Sequence, residues 1–436
     1  MQSAPKKITR RPAMKVAVED RPKQDEKQFV PHDCFFVDAA IDRLLVHIER
    51  TGRLVIPGAA FDPEVPIEDW LRNPRGGGEL LHTVSACVGT HISPEMVLER
   101  RKHIGEQRVI LLKLMENPGI AQRTPEWYAA RNEIVTASDG AQALGCAKFG
   151  NQRDFFRKKA GLPDEQEPFD GSCPPLRHGT MLEPIAQALY TAVNAGVVVH
   201  EFGLLRHPTL DFIGASPDGI TETGVMVEIK CPYKRKIVPG ECPTQYYYQI
   251  QGQLAVCGLD QCDFWEVEIE ESYYGPDDPD WIAAEAEGGA EYGRGVLLET
   301  GAEKAPEFLY PDPVVGGSVE SLLAWIEETK RKDRETNGVD GKRWITHWWW
   351  IRRRGTTRIP YDPAFCEDMF ARLAQVWQRV LEYRADRARY LVEVGTANSY
   401  VPSSSVIANE YDAPIMVPVI PSTSPKLKGF AFLDDE

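Results

Sequence analysis

The stretch that most constrains this chain is Ser216-Pro217-Asp218-Gly219 followed by Val225-Met226-Val227-Glu228-Ile229-Lys230, with Asp218 and Glu228 ten positions apart. Pro-Asp-Gly is a turn signature. It bends the chain so that Asp218 projects at the end of one strand of a hairpin. The next strand sets Glu228 and Lys230 two residues apart, on one side of the sheet, while Ile229 points the other way and packs. Two carboxylates and an ammonium on one face are costly in a simple core. They make chemical sense where the carboxylates hold a divalent cation. The plainer alternative is a solvated sheet face with Asp218 capping a turn. A lone Glu-x-Lys fits that alternative well, but the preceding turn and a further carboxylate upstream, Glu183, weigh against it.

Mg²⁺ takes an octahedral oxygen shell with one or two protein carboxylates. Asp218 and Glu228 suit that preference, Glu183 is a further candidate ligand, and the backbone carbonyl of Ile229 could add one more oxygen. Histidine is almost absent from the cluster, which disfavours zinc. Such a cation would activate water and neutralise a phosphate. Lys230 would position or help deprotonate that water, or stabilise charge in the transition state.

The pattern of segments around this hairpin predicts helices at Pro125 to Arg131, Ser138 to Leu144, Leu182 to Ala195 and Tyr246 to Val256. Strands are expected at Val197 to Leu205, Phe212 to Ala215, Val225 to Lys230 and Phe264 to Glu270, giving an α/β unit with a mixed sheet covered by helices. The chain divides into a basic, disordered tail over 1–28, a mainly helical region over 29–120, the core over 121–272, an irregular connection over 273–315, a helical region over 316–396 and a Ser/Pro-rich tail over 397–436. Ser93-Pro94 is a strong helix start. Its helix would bury Val97, Ile104, Leu111 and Leu114.

The 436 residues carry a formal charge of -15, which argues against a sequence-independent DNA coater but not against an enzyme with a local basic channel. Nine cysteines without a CxxC pair read as free thiols in a reducing compartment. With no apolar run of membrane-spanning length and no secretory leader, the chain reads as soluble, intracellular and without a membrane partner.

Cations cluster near the proposed site. Arg131 and Lys148 bracket a small helix start where Thr136 and Ser138 could receive phosphate, although a capping Ser138 with two surface cations is the simpler account. Lys158 and Lys159 add local positive field, and Lys234, Arg235 and Lys236 follow the catalytic strand as phosphate contacts. The run from Arg343 to Arg354, with Trp348, Trp349 and Trp350, reads either as a core or interface cluster or as a platform for a DNA strand. His347 lacks partners at metal-ligand spacing.

At these residues the sequence resembles the PD-(D/E)XK nucleases, and more narrowly the phage-type exonucleases and YqaJ-like viral recombinase nucleases. The resemblance rests on five segments in order: Thr124-Pro125-Glu126-Trp127 with Arg131 and Thr136-Ala137-Ser138; Gly179 to Pro184; Gly214 to Gly219; Glu228 to Pro232; and Tyr248 to Leu254. It implies a restriction-endonuclease-like core with helical additions at both ends. It implies that Glu183, Asp218 and Glu228 bind Mg²⁺ or Mn²⁺, that Lys230 is catalytic, and that Arg131 and Ser138 contact a 5′ phosphate. Gln251, or its neighbour Gln249, is implied to lie against the catalytic site, with Gln251 the catalytic candidate and Gln249 a candidate phosphate contact. The resemblance further implies 5′→3′ degradation of one strand of duplex DNA with a free end, in recombination or repair. A single-strand annealing protein and a homo-oligomer such as a trimer are the implied partners. A structure-specific endonuclease and a non-catalytic DNA-binding scaffold are the competing accounts. The intact carboxylate–lysine set disfavours the scaffold.

Overall fold

The computed structural model describes residues 33–51, 65–74, 77–148, 150–161, 173–238, 240–282, 293–302, 305–338, 343–395 and 415–416. The tails expected over 1–28 and 397–436 lie outside these residues, apart from 415–416.

Four helices open the described chain: α1 (Asp33–Thr51), α2 (Ile67–Leu71), α3 (Gly77–Val88) and α4 (Pro94–Glu116). Ser93 caps α4 by accepting from the Met96 amide at 3.3 Å, with Pro94 in the first turn, as the sequence predicts. Ile41, Leu44, Leu45 and Ile48 of α1 meet Val97 and Ile104 of α4 in a core of their own, closed by Trp70 and Leu71. This unit is fastened to the rest through buried charge. Arg100 donates to both carboxylate oxygens of Asp42, and Arg358 pairs with Asp42 and Asp263.

The elements that follow are α5 (Pro125–Asn132), β1 (Val135–Thr136), a 3₁₀ turn at Ala137–Asp139, α6 (Gly140–Ala143), α7 (Gln152–Ala160) and α8 (Pro174–Val193). Next come β2 (Val199–His200), β3 (Leu205–Arg206), β4 (Ile213–Ala215), β5 (Gly219–Thr221), β6 (Met226–Lys230), β7 (Glu241–Cys242), α9 (Thr244–Cys257) and β8 (Gln261–Ser272). The C-terminal part adds β9 (Arg294–Ala302), β10 (Ala305–Leu309), α10 (Val319–Asn337), β11 (Ile345–Pro360), α11 (Pro363–Ala385), α12 (Arg387–Glu393) and β12 (Ile415–Met416).

Seven strands form one mixed sheet in the order β10-β9-β11-β8-β6-β5-β2. Strands β5 and β6 form an antiparallel hairpin that turns at Glu222-Thr223-Gly224. The Pro-Asp-Gly segment, expected to set up a hairpin from the strand at Phe212 to Ala215, instead leads from β4 of the smaller sheet into β5. β6 and β8 run parallel, as a connection through a helix such as α9 requires. A smaller sheet, β1-β4-β3, flanks them. Helix α8 packs Met181, Leu182, Ile185 and Leu189 on Val227, Ile229 and Trp265, while α9 and α11 share a second core with Met226, Phe264 and Ile359. The mixed sheet covered by helices, with helical additions at both ends, is the architecture the sequence predicts.

The region after residue 272 departs from expectation. The segment 273–315 contains β9 and β10, and the region expected to be helical over 316–396 contains the longest strand, β11. β11 pairs with β8 on one side and β9 on the other. Being central, it is covered on both faces. Trp349 enters the cluster under α8, and Trp348 and Trp350 point oppositely into a cluster with Trp281, Leu322 and Ile326. All three indoles are buried, so the tryptophan run is core. Among the described residues, seven cysteines are free and no helix is long and apolar enough to cross a membrane.

Candidate active site

The β5–β6 hairpin and α8 bring the predicted carboxylates and lysine together. Asp218 sits at the turn into β5, and its Oδ2 accepts from the Ile229 amide at 2.8 Å, which pins the turn to β6. Glu228 is wholly buried. Its Oε1 accepts from the Lys230 ammonium and from Gln249 Nε2 at 2.7 Å, and its Oε2 accepts from Gln253 Nε2 at 2.8 Å. Lys230 Nζ lies 4.0 Å from Asp218 Oδ2 and donates to the Ile229 carbonyl at 3.1 Å, the same carbonyl proposed as a ligand. Glu183 reaches the cluster from α8 and meets Arg123 Nη2 at 3.3 Å.

Crowded negative charge marks the electrostatics. Burial, and then the neighbouring Asp218, push Glu228 up to about 7 and raise Glu183 above its usual range. Burial would lower the Lys230 pKa, but Glu228 and Asp218 outweigh it and hold the ammonium charged. Among the described residues, no three His, Cys, Asp or Glu side chains already stand close enough together to hold a metal ion. The donor chemistry nonetheless suits a hard divalent cation: three carboxylates and a backbone carbonyl, with the Glu228 and Glu183 carboxylates destabilised by burial and then by the charge of Asp218.

Of the two glutamines implied to lie against the site, Gln249 does and Gln251 does not. Gln251, predicted to be catalytic, points away from the site. Its Nε2 donates to the Pro360 carbonyl at 2.8 Å and its Oε1 accepts from the Asp362 amide at 2.8 Å, tying α9 to the start of α11. Gln249, predicted to touch phosphate, and Gln253, which was not predicted, bind Glu228 instead. Their i,i+4 spacing puts them on one face of α9.

Around α5 and the 3₁₀ turn, Arg131 stacks over the Trp127 ring at 4.2 Å and donates to Ser138 Oγ at 3.2 Å. Trp127 Nε1 in turn donates to Ser216 Oγ at 3.0 Å, connecting this corner to the Ser-Pro-Asp-Gly turn. Thr136 is buried and its hydroxyl donates to Asp139 at 2.7 Å, so it serves the turn and is not open to phosphate as expected. Lys159 is likewise buried, paired with Asp139 at 2.9 Å and donating to the Arg131 carbonyl at 2.6 Å. Lys158 meets the other oxygen of Asp139 at 2.7 Å. Burial works against the Asp139 carboxylate, but Lys159, Lys158 and Arg131 hold it well below the ordinary range.

The remaining predicted cations are dispersed. Lys148 is exposed, with its backbone amide donating to Gln245 Oε1 at 3.1 Å. Lys234 lies over Tyr233 at 5.4 Å, and Lys236 is exposed. Arg235 is ion-paired with the buried Glu266, which fastens the loop after β6 to β8. His347 is buried, with its ring nitrogens 2.6 Å from Glu271 and 2.8 Å from Glu299.

Residues 126–260 match the model of the YqaJ-like viral recombinase domain, an interval that contains every residue of the carboxylate–lysine cluster. Over 173 residues the chain is 32% identical to an uncharacterised protein of Acanthamoeba polyphaga mimivirus. That alignment covers 35% of this chain and spans 30% of the viral protein's length. Among solved structures, the alkaline exonuclease LHK-Exo of Laribacter hongkongensis in complex with dAMP is 22% identical, with a TM-score of 0.35 over 62% of this chain and 100% of that one. A phage-related exonuclease of Haemophilus somnus is 14% identical, with a TM-score of 0.31 over 57% of this chain and 93% of that one. Residues 126–260 are thus similar to the YqaJ-like viral recombinase domain, the same group that the ordered motifs of the sequence resemble.

Proposed function

We propose that this chain is a divalent-metal-dependent deoxyribonuclease that hydrolyses linear duplex DNA as a 5′→3′ exonuclease in recombination or repair. The observation that carries this reading is the meeting of Asp218, Glu228 and Lys230 from one hairpin with Glu183 from α8, inside the matched domain. Asp218, Glu228 and Glu183 would hold Mg²⁺, with Mn²⁺ able to substitute. When bound, that cation supplies positive charge and Lewis acidity at the scissile phosphate.

The chain's own residues supply orientation and charge. Gln249 and Gln253 fix the Glu228 carboxylate from one helix face, and the Ile229 amide fixes Asp218. Lys230 presents an ammonium to the oxygens of the phosphate, where donors that are already oriented stabilise developing charge most effectively. In the hydrolysis, a water oxygen bonds to phosphorus, the bond from phosphorus to a sugar oxygen breaks, and that oxygen leaves as a hydroxyl. Arg131, Ser138 and the indole-supported corner around Trp127 would receive the terminal phosphate. Lys148, Lys234 and Lys236 are candidates for more distant backbone phosphates. A single-strand annealing protein and a homo-oligomer, including a trimer, belong to this proposal as partners.

Incubation with Mg²⁺ and linear duplexes labelled separately at each 5′ end, beside a covalently closed circle, tests the reading. Early release of the 5′ label with the circle intact is expected. Rapid cutting of the circle would replace the exonuclease by an endonuclease, and no cutting of any substrate would remove the enzyme.

A further inference from the structure

Arg123 has φ of 65°, a left-handed conformation shared among the described non-glycine residues only by Ala195. A residue with a Cβ is disfavoured in that region, and glycine is not. Its neighbours impose the conformation. Gln122 Nε2 donates to the Phe202 carbonyl at 2.8 Å and to the Pro217 carbonyl at 3.4 Å, beside Asp218. Thr124 accepts from the Trp127 amide at 3.2 Å as the cap of α5, and donates to the Ala121 carbonyl at 2.9 Å. The backbone is therefore held on both sides, and the arginine is aimed by it at Glu183 Oε2.

That ion pair does not account for the residue. The Arg123 side chain is 59% exposed and its partner 38%, and pairs so open to water contribute little to stability. A glycine would suit the turn better, so what the position gains from arginine is a guanidinium on the rim of the carboxylate cluster. A guanidinium has five donors in a planar fork suited to phosphate oxygens, and most of this one is open to solvent. Strained conformations of this kind collect at ligand-binding positions.

We propose that Arg123 is a substrate-binding residue that grips a DNA phosphate flanking the scissile one, its guanidinium passing from Glu183 to that phosphate as substrate enters. The assignment rests on the nuclease reading of the cluster and extends it by a contact.

The test uses the full chain and a fluorescently labelled short linear duplex, with binding measured in Ca²⁺ across a salt series. Wild type, Arg123→Gly and Arg123→Lys are compared, and their thermal midpoints are recorded. Arg123→Gly should weaken binding about fivefold at low salt and lower the slope of log Kd against log salt by about one ion. Its thermal midpoint should equal or exceed that of wild type, because glycine relieves the backbone. Arg123→Lys should restore much of the slope. Wild-type affinity and slope in Arg123→Gly would overturn the proposal, as would a lowered midpoint with DNA binding unchanged, which marks a structural clip. Wild type that binds the duplex in Ca²⁺ but does not cut it in Mg²⁺ overturns the nuclease reading alone, and the slope still decides the Arg123 contact. Failure of wild type to bind overturns both.

Discussion

Glu228 is a carboxylate without exposed surface, held by three donors of which two come from one face of α9. Its burial and its place beside Lys230 follow from strand alternation, which is why this pair was legible in the sequence. The choice among Gln249, Gln251 and Gln253 was not. Tyr248, Ile250, Gln251, Gly252 and Gln253 are all buried, so α9 has no polar face from which to read its phase. The two kinds of glutamine separate experimentally. Gln249→Ala should lower the single-turnover rate of cleavage about tenfold or more with little change in urea stability, since it loosens an active carboxylate. Gln251→Ala should cost about 1–3 kcal/mol of stability, because it strips partners from the Pro360 carbonyl and Asp362 amide, while the folded protein still cuts. Equal losses of rate in the two variants would contradict this division.

Turns and strands set the precision of the site at the next scale. The Asp139 turn is built around one buried carboxylate that orients Thr136 and draws in Lys158 and Lys159, and Lys159 in turn holds the Arg131 carbonyl. Its pKa lies below the unfolded value of about 4, so its contribution to stability is complete above pH ~4 and is lost as pH falls below that toward the folded value. Urea unfolding at a series of acidic pH values should show this decline in wild type. Asp139→Asn should be less stable at neutral pH and should flatten the acid slope by roughly one proton. An unchanged slope would remove Asp139 as the source.

Long-range strands were harder to read. Trp348-Trp349-Trp350 is buried on both faces of β11, and a continuous apolar run of that kind cannot be assigned to helix or strand by period. β9 and β10 were hidden by a Gly- and Glu-rich composition, and β9 finds its main partner in β11, far along the chain. The β5–β6 pair, by contrast, carried the alternation of β6 and a local partner.

At the scale of the whole molecule, the N-terminal helices are coupled to the sheet by charge as well as packing. Asp42 accepts from Arg100 of α4 and from Arg358 of β11, while Arg358 also grips Asp263 and Tyr190 donates to Asp263 at 2.7 Å. Removing one member of such a buried set strands the others. Asp42→Ala should therefore destabilise the protein by about 3–5 kcal/mol, read as a lower urea midpoint. A change under about 1 kcal/mol would mean that the network relaxes to water. Helix α4 of the N-terminal unit was predictable from its cap and apolar spacing, but the unit's attachment was not, because Asp42 and Arg358 lie far apart in the chain.

The central claim is that Glu183, Asp218, Glu228 and Lys230 form one cation-dependent site for cutting DNA. Its most direct measurement is the single-turnover cleavage rate of an end-labelled linear duplex by wild type and by Lys230→Ala, across a Mg²⁺ titration and with both proteins shown to be folded. The account predicts cutting by wild type that rises with Mg²⁺ and disappears with a chelator, and a rate at least about a hundredfold lower for Lys230→Ala. Equal rates for the two proteins, or wild-type cutting indifferent to the cation, would contradict it.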